Sequence, residues 1–433
     1  MRSRALIIAL LILASLASFL WLRGLPLPSG HEYPMNREPV RVLLWMSIDG
    51  LRPDYVDTQK TPKLWRLKSE SLWTGQLIPG FPTLTFPSHV SLSTGTQVET
   101  HGIPMNFFYD RSQQEYYSYP GDPALLQAEP IWTTATRQGL RVAVMDWVLS
   151  HDQKGENRAA YFNSHYRRGL SDRERLSQIL RVFDRDRSSQ PLQLLMVYAV
   201  GPDSLGHRYG PHSKEVREKM AQLDSVLQDF WLRLIEIWDR KMLAQDELIV
   251  MLTTDHGMAE IEFTVNFDAL LGLDENFDIP APTGGNIGQV FLDGLSEEAR
   301  KQQIVEFKER MKLFPFVRVY EQTELPSRWG YQHPERVGDL VFVLEKGYAF
   351  ARISQEVLSP VHENSVLKGM HGYDPEDPDM WGFGLVWRYP RPFQAENLGP
   401  VQGIRLHATV AELLGIEASP QAESTPIPLP QLN

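Results

Sequence analysis

Three short apolar segments of this chain each lead to acidic or histidine side chains. The segments and the polar residues that follow them are 42–48 with Asp49, 194–200 with Asp203 and His207, and 248–252 with Asp255 and His256. Apolar runs of this length are typical of strands that are buried on both faces, as in parallel sheets. The carboxyl ends of such strands meet at one edge of the sheet, and in open α/β folds that edge builds the site. The pattern therefore predicts an α/β fold with a divalent metal centre at this edge.

Helix and strand patterns alternate around these segments. A predicted helix over 130–139 precedes a predicted strand over 141–145. Residues 214–241 carry apolar side chains at three- and four-residue spacing, which is typical of an amphipathic helix, and lead into the 248–252 strand. Such βαβ units predict a mostly parallel central sheet flanked by helices.

The domain organisation follows from where this alternation stops. Residues 258–367 contain strand patterns separated by turns, at 289–292, 317–320 and 339–343, and predict an inserted β-containing region. We predict a catalytic domain over residues 41–417 that includes this region. Residues 418–433 form a Pro-rich tail.

Composition excludes several classes of function. The 433 residues are 42% hydrophobic, which is enough for a large core. A net charge of −11 argues against stable nucleic-acid binding, which needs a basic surface. The chain has no cysteine, so it can form neither disulfides nor thiolate metal sites.

The amino terminus predicts export from the cytoplasm. Arg2 and Arg4 precede an apolar stretch over residues 5–22, and Arg23 follows it. Residues 1–23 therefore form either a membrane anchor, being just long enough to span a bilayer, or a signal peptide that is cleaved near 15–17. A linker over 24–40 follows. The chain also lacks Asn-x-Ser/Thr sequons, and we expect a bacterial protein located in the periplasm or otherwise outside the cytoplasm, anchored or secreted.

Six Asp and His residues make up the predicted metal centre. Asp203 and His207 are four positions apart, Asp255 and His256 are adjacent, Asp49 follows the first strand, and His371 lies in a loop between glycines. Such a set without cysteine suits two zinc ions, or manganese or iron, with open positions for substrate. Two metal ions can stabilise the attacking and leaving oxygens of an in-line displacement at phosphorus.

Thr85 has two interpretations. It precedes Pro87 and an apolar helical turn, so it suits the N-cap position of a helix. The same position would place its hydroxyl at a helix N-terminus that attracts anions, where a bound metal could activate it as a nucleophile. Spacing alone does not decide between the two.

Seven segments together resemble one known family. They are 47–52, 82–89, 94–103, 129–132, 202–211, 254–258 and 371–374, in order along residues 41–415. The chain is thereby similar to the nucleotide pyrophosphatase/phosphodiesterase family (type I phosphodiesterases) of the alkaline phosphatase superfamily. The resemblance implies an alkaline-phosphatase-like sheet and metal-dependent hydrolysis of phosphodiester or pyrophosphate bonds, by way of a threonyl-phospho intermediate. The implied substrate is a small phosphodiester or a nucleotide.

The resemblance also implies roles for individual residues. One metal would be held by Asp203, His207 and His371, and a second by Asp49, Asp255, His256 and Thr85, the nucleophile. Asn106 would donate a hydrogen bond to the phosphoryl oxygens, together with the backbone N–H of Phe86. Phe86 would form one wall of the substrate pocket and Tyr166 the facing wall.

Three alternatives stay open from the sequence. The chain could be a phosphomonoesterase or a lipid-head-group phosphodiesterase of the same superfamily, or a membrane-tethered binding protein without turnover. Residues 147–150 and the surroundings of Tyr166 depart from the family pattern, which leaves the substrate open.

Overall fold

The computed structural model describes Tyr33 and residues 37–272 and 279–430. The predicted signal or anchor segment, 1–23, and most of the predicted linker therefore lie outside the described residues. Within the described ranges, no helix is long and apolar enough to cross a membrane.

The α-helices of the described residues are Pro62–Lys68, Thr85–Thr94, Val98–His101, Ile131–Arg137, Asp172–Arg185, Asp203–Tyr209, Lys214–Lys241, Phe267–Leu271, Glu297–Met311 and Leu406–Leu414. The strands are β1 (Arg41–Ile48), β2 (Leu72–Ile78), β3 (Phe107–Asp110), β4 (Glu115–Ser118), β5 (Arg141–Met145), β6 (Tyr161–Phe162), β7 (Leu192–Ala199), β8 (Glu247–Thr253), β9 (Ala259–Glu260), β10 (Phe263–Val265), β11 (Thr283–Gly284), β12 (Ile287–Val290), β13 (Val317–Glu321), β14 (Leu340–Leu344), β15 (Tyr348–Phe350), β16 (Leu358–Pro360), β17 (Gly369–Met370), β18 (Gly382–Tyr389), β19 (Glu396–Asn397) and β20 (Val401–Gln402).

A large sheet forms the centre of the molecule. Its strand order is β19-β2-β18-β8-β1-β7-β5-β6, with β20 beside β2. The strands from β8 to β6 are all parallel, and β18 is antiparallel to both of its neighbours. Helices cover the sheet, and the predicted α/β fold class is confirmed.

Strand β1 shows why the sheet is covered on both faces. Its side chains alternate between two hydrophobic clusters, with Leu43 and Trp45 in one and Leu44 and Met46 in the other. The first cluster includes residues of the helices Thr85–Thr94, Ile131–Arg137 and Leu406–Leu414. The second includes residues of Asp172–Arg185 and Lys214–Lys241. A strand buried on both faces needs the continuous apolar run that the sequence shows.

The register of the parallel strands aligns the three predicted site loops. Ile48 at the end of β1 pairs with Ala199 at the end of β7, and Ser47 pairs with Thr253 at the end of β8. Asp49, Asp203 and Asp255 therefore follow strand ends that lie at one edge.

The region 258–367 forms smaller sheets beside the central one. Strands β11 to β14 build an antiparallel sheet in the order β11-β12-β14-β13, over a hydrophobic cluster of their own. The turn of its first hairpin reaches the predicted metal centre. A Cβ atom at Gly285 would lie 2.6 Å from the carbonyl oxygen of His371 and 2.9 Å from the side chain of Leu84. Only glycine leaves room for this contact.

Gly201 offers a test of the packing at the sheet edge. It lies between β7 and Asp203 with a φ of +56°, and a Cβ there would lie 2.7 Å from the carbonyl oxygen of Asp49. Gly201→Ala should lower the free energy of unfolding by roughly 3 kcal/mol, through left-handed backbone strain plus steric overlap. Gly155 has a φ of +81° and nothing within 4 Å of such a Cβ, so Gly155→Ala should cost only about 1 kcal/mol. Urea denaturation of both variants measures the difference; equal losses would contradict the close contact.

Candidate active site

The six predicted metal-ligating residues converge at the carboxyl edge of the sheet. Asp203 and His207 lie one turn apart on the helix Asp203–Tyr209, and His371 follows β17. Strand β17 pairs with β9, which continues the chain after His256. The three loops after β1, β7 and β8 and the β17 loop thus supply all six side chains.

Asp203, His207 and His371 form one compact set. The Nε2 atoms of His207 and His371 are 3.1 Å apart, and they lie 3.4 and 3.6 Å from Oδ1 of Asp203. Ligands bound tetrahedrally to zinc at ~2.0–2.1 Å are separated by roughly 3.3–3.4 Å. These three atoms therefore have the spacing of a zinc ligand set.

Asp49, Asp255 and His256 form the second set. Nε2 of His256 lies 3.5 Å from Oδ1 of Asp49 and 3.1 Å from Oδ2 of Asp255. The rings of His256 and His371 stack with their centroids 3.5 Å apart, so the two sets adjoin. Asp203, His256 and His371 also fall within one group whose ligand atoms lie within 4.8 Å of one another.

Backbone carbonyls orient all three imidazole rings in the same way. Nδ1 of His207 lies 2.9 Å from the Gly369 oxygen, that of His371 lies 2.8 Å from the Thr83 oxygen, and that of His256 lies 2.9 Å from the Gly257 oxygen. A carbonyl only accepts, so each Nδ1 carries a proton and each neutral ring keeps its Nε2 lone pair. The Nε2 atoms of His207 and His371 then face each other without a shared proton, an arrangement that a cation stabilises.

The carboxylates show the same need for a cation. Oδ1 of Asp49, Oδ1 of Asp203 and Oδ2 of Asp255 are buried and have no hydrogen-bond partner. Burial and repulsion from Asp255 and Asp203 raise the pKa of Asp49 well above its usual range. Burying unpaired carboxylates costs several kcal/mol each (order of magnitude) unless a cation or proton compensates. The residues present therefore fit a divalent metal centre.

Thr85 is not the N-cap residue, contrary to that interpretation of the sequence. Leu84 occupies the N-cap with extended backbone and no side-chain cap, and Thr85 is the first residue of the helix. Its Oγ1 instead lies 3.3 Å from Nε2 of His256. Because the Thr85 hydroxyl is not used to cap the helix, it can face the second set.

Asn106 also lies at this helix N-terminus. Its Oδ1 accepts a hydrogen bond of 2.9 Å from the backbone N–H of Phe86. That N–H is engaged by Asn106 in this structure, and its donation to a phosphoryl oxygen stays a prediction. The bond assigns the oxygen of the Asn106 amide to the helix and leaves the NH₂ end as its donor.

The two predicted pocket walls have separate surroundings. Phe86 packs edge-on against Tyr119, with ring centroids 5.6 Å apart. Tyr119 is 59% exposed and has a φ of +46°. Tyr166 is 40% exposed and contacts His151 and Arg175. Among the described aromatic pairs, none joins Phe86 to Tyr166 directly, and their role as facing walls stays a prediction.

Sequence reasoning missed the side chains that hold the ligands. Tyr198 donates a hydrogen bond to Oδ2 of Asp49. His89 places Nδ1 2.9 Å from the Thr85 oxygen and 3.3 Å from Oδ2 of Asp255, and its Nε2 bonds Ser47. Partners of this kind set ligand orientation in metal sites. Tyr198 lies inside an apolar strand, so no sequence signal separates it from the core.

Comparison with known proteins identifies the family. Residues 43–374 match the family model described as type I phosphodiesterase / nucleotide pyrophosphatase. An uncharacterized pyrophosphatase/phosphodiesterase from Schizosaccharomyces pombe is 30% identical over 390 residues, which cover 87% of this chain and 77% of that protein. A bis(5'-adenosyl)-triphosphatase from Mus musculus is 28% identical over 401 residues, covering 91% of this chain and 82% of that protein.

A solved structure has the same fold. Murine ectonucleotide pyrophosphatase/phosphodiesterase 5, an inactive variant in complex with AMP, superposes with a TM-score of 0.74 at 23% identity, covering 88% of this chain and 96% of that one. The family model and the relative from Schizosaccharomyces pombe confirm the family predicted from the motifs, while the bacterial source stays a prediction, because the reported relatives are eukaryotic. The chain belongs to the type I phosphodiesterase / nucleotide pyrophosphatase family and is a hydrolase of phosphoester or phosphoanhydride bonds.

Proposed function

We propose that this protein hydrolyses nucleotide-type phosphodiester and pyrophosphate bonds with two divalent ions, zinc in the first place, and with Thr85 as nucleophile. The observation that carries the proposal is the position of the Thr85 hydroxyl, 3.3 Å from Nε2 of His256 at the start of a helix. A hydroxyl beside two adjoining ligand sets suits phosphoryl transfer through a covalent intermediate.

The ligands divide between two ions. Asp203, His207 and His371 would hold one, and Asp49, Asp255 and His256 the other, with Thr85 beside it. Bound divalent ions lower the pKa of a neighbouring hydroxyl and neutralise charge that develops on phosphoryl and leaving oxygens. The zinc preference rests on the ligand types and on separations of 3.1 to 3.6 Å.

The chain's own groups then account for a double displacement. Oγ1 of Thr85 gives its proton to solvent and forms a bond to phosphorus as the bond from phosphorus to the leaving oxygen breaks, and the leaving oxygen takes up a proton from solvent. The helix N-terminus stabilises negative charge near Thr85, and the NH₂ end of Asn106 donates to an equatorial oxygen. The oxygen of a water molecule then bonds to phosphorus in the phospho-threonine, the bond from phosphorus to Oγ1 breaks, and Oγ1 regains a proton.

A nucleotide is the proposed substrate. Phe86, which is half-buried beside Thr85, and Tyr166, which is 40% exposed, supply aromatic surface, and aromatic rings bind nucleobases by stacking. The murine structure that shares this fold was solved with AMP. A phosphodiester without a nucleobase would use the same ligands and Thr85 but would not use these rings.

Localisation outside the cytoplasm is also proposed. The support is the charge and apolar pattern of residues 1–23, which lie outside the described residues. Fractionation of cells that express the full chain, with the 1–23 deletion as control, distinguishes a retained anchor from a cleaved signal by the mass of the exported product.

Removal of the nucleophile gives the first prediction. Thr85→Ala should lower kcat/KM for an aryl phosphodiester by at least about 10³-fold, because the covalent route is lost. Ser88→Ala is the matched control: this residue lies on the same helix, and its buried hydroxyl has no hydrogen-bond partner. The control should stay within about threefold of wild type. Near-full activity of Thr85→Ala would remove Thr85 from the mechanism.

Metal content gives the second prediction. The purified protein should bind about two zinc ions, and a chelator should abolish turnover and lower Tm by roughly 10 °C, because each ion at 1,000 Kd contributes ~4 kcal/mol to stability. Asp255→Asn should reduce the metal content, whereas His362→Ala, at an exposed position, should not. Elemental analysis and thermal denaturation measure both effects; a full metal content in Asp255→Asn would exclude this residue as a ligand.

Substrate class gives the third prediction. The protein should cleave an aryl phosphodiester faster than the matching monoester, because neither the two proposed ligand sets nor Thr85 and Asn106 include a lysine or arginine for a second phosphate charge. Faster monoester cleavage would indicate a phosphomonoesterase instead. Turnover of neither compound despite two bound ions would indicate a binding protein or a narrower substrate.

A further inference from the structure

A buried polar cluster lies behind Tyr166 and is not part of the ligand sets. Its centre is Asp146, the residue after β5, which is 1% exposed and has a φ of +58°. The Asp146 carboxylate accepts hydrogen bonds of 2.6 Å from Asn163, 2.8 Å from Arg175 and 2.8 Å from Gln178. Arg175 is itself 1% exposed, so the charge pair is sequestered from water.

This cluster contacts Tyr166 through two cationic or aromatic side chains. The guanidinium carbon of Arg175 lies 4.3 Å from the centroid of the Tyr166 ring. The ring of His151 meets Tyr166 edge-on with centroids 6.0 Å apart, and Nε2 of His151 lies 3.7 Å from Asp146. A guanidinium at this distance over a tyrosine ring is attracted to its π-face, most strongly when it is desolvated.

The cluster also holds the backbone next to Tyr166. Nη2 of Arg175 donates a 2.8 Å hydrogen bond to the carbonyl oxygen of Arg167. The guanidinium of Arg167 in turn donates to Oε1 of Gln178 at 2.9 Å. The buried guanidinium of Arg175 therefore contacts the ring of Tyr166 and also bonds the backbone of the next residue.

The cluster lies at the sheet edge that carries the proposed ligands. Asp146 directly follows β5, whose last residue, Met145, pairs with Val197 near the end of β7. The segment 146–152 therefore leaves the sheet at the same edge as the loop that leads to Asp203. The Tyr166 side chain that this segment contacts is 40% exposed.

Packing alone does not account for such a cluster. Burying an ion pair is often no more stabilising than apolar residues of the same volume. Asp146, Leu149 and Asp152 all have positive φ values, between 48° and 58°, and strained backbone of this kind persists where the surroundings over-determine it. The backbone strain in 146–152 thus lowers the stability of the fold, and the same segment places His151 against Tyr166.

We propose that Asp146, His151 and Arg175 are positioning residues that hold the Tyr166 ring ready to stack on an aromatic group of the substrate. This inference rests on the proposed function, and it assigns the cluster to the binding of the nucleobase of the substrate. A pre-organised ring raises affinity, because less conformational freedom is lost on binding. The cluster therefore governs the KM for substrates that carry a nucleobase and leaves the chemical step unchanged.

Two aryl diesters test the proposal, one carrying a nucleoside and the other only a methyl group. Arg175→Lys keeps a charge beside Asp146 but loses the planar guanidinium and its bond to the Arg167 carbonyl. It should raise the KM for the nucleoside diester roughly tenfold and leave kcat, and both constants for the methyl diester, within about twofold. Arg173→Lys, at an exposed position of the same helix, is the matched control and should match wild type.

A double-mutant cycle separates positioning from folding. Tyr166→Ala should raise the same KM at least as much, and adding Arg175→Lys to it should have no further effect, because the two residues act as one unit. His151→Ala, which leaves the bonds between Asp146 and Arg175 in place, should raise this KM a few-fold and keeps the test available if Arg175→Lys does not fold.

The outcomes distinguish this inference from the proposed function. Equal losses for both diesters, or additive effects of the Tyr166 and Arg175 changes, would overturn the positioning role while wild-type turnover upheld the proposed function. A wild-type protein that binds zinc and cleaves neither diester would overturn both.

Discussion

The structure depends on the crowding of three carboxylates and three imidazoles at one edge of a parallel sheet. Asp49, Asp203 and Asp255 are brought together by the register of β1, β7 and β8, and each has a buried oxygen without a partner. Burial and repulsion among them raise the pKa of Asp49, while burial and repulsion from other imidazoles lower that of His371. Divalent cations satisfy both kinds of group, so the sheet and the proposed metal centre stabilise one another.

Main-chain groups rather than charged side chains hold the imidazoles in place. Each of the three rings bonds a carbonyl through Nδ1, which leaves every Nε2 lone pair facing the centre. The carbonyl of Thr83, which holds His371, lies only two residues before Thr85. The proposed nucleophile and the proposed ligand His371 are therefore positioned by the same short stretch of backbone.

The two aromatic rings are held by side-chain contacts, whereas the imidazoles of the proposed metal centre are held by backbone carbonyls. Tyr166 rests on a buried ion pair between Arg175 and Asp146, whereas Phe86 rests on Tyr119. Residues 147–150 and the flanks of Tyr166, which are predicted to depart from the family pattern, adjoin this ion pair in the sequence.

The sequence by itself determined the local features: the buried strands, the helix Lys214–Lys241 with its predicted bounds, and the types and order of the ligand residues. These follow from apolar periodicity and side-chain chemistry. Tertiary structure alone decided that β18 enters the central sheet, because Gly382 and Gly384 interrupt its apolar pattern; a Cβ at Gly382 would lie 1.9 Å from Thr254. Contacts between distant segments also decided that Phe86 orients Asn106 and that Tyr198 bonds Asp49. Such pairs depend on how strands and loops meet in space, which neither residue's own neighbourhood in the sequence records.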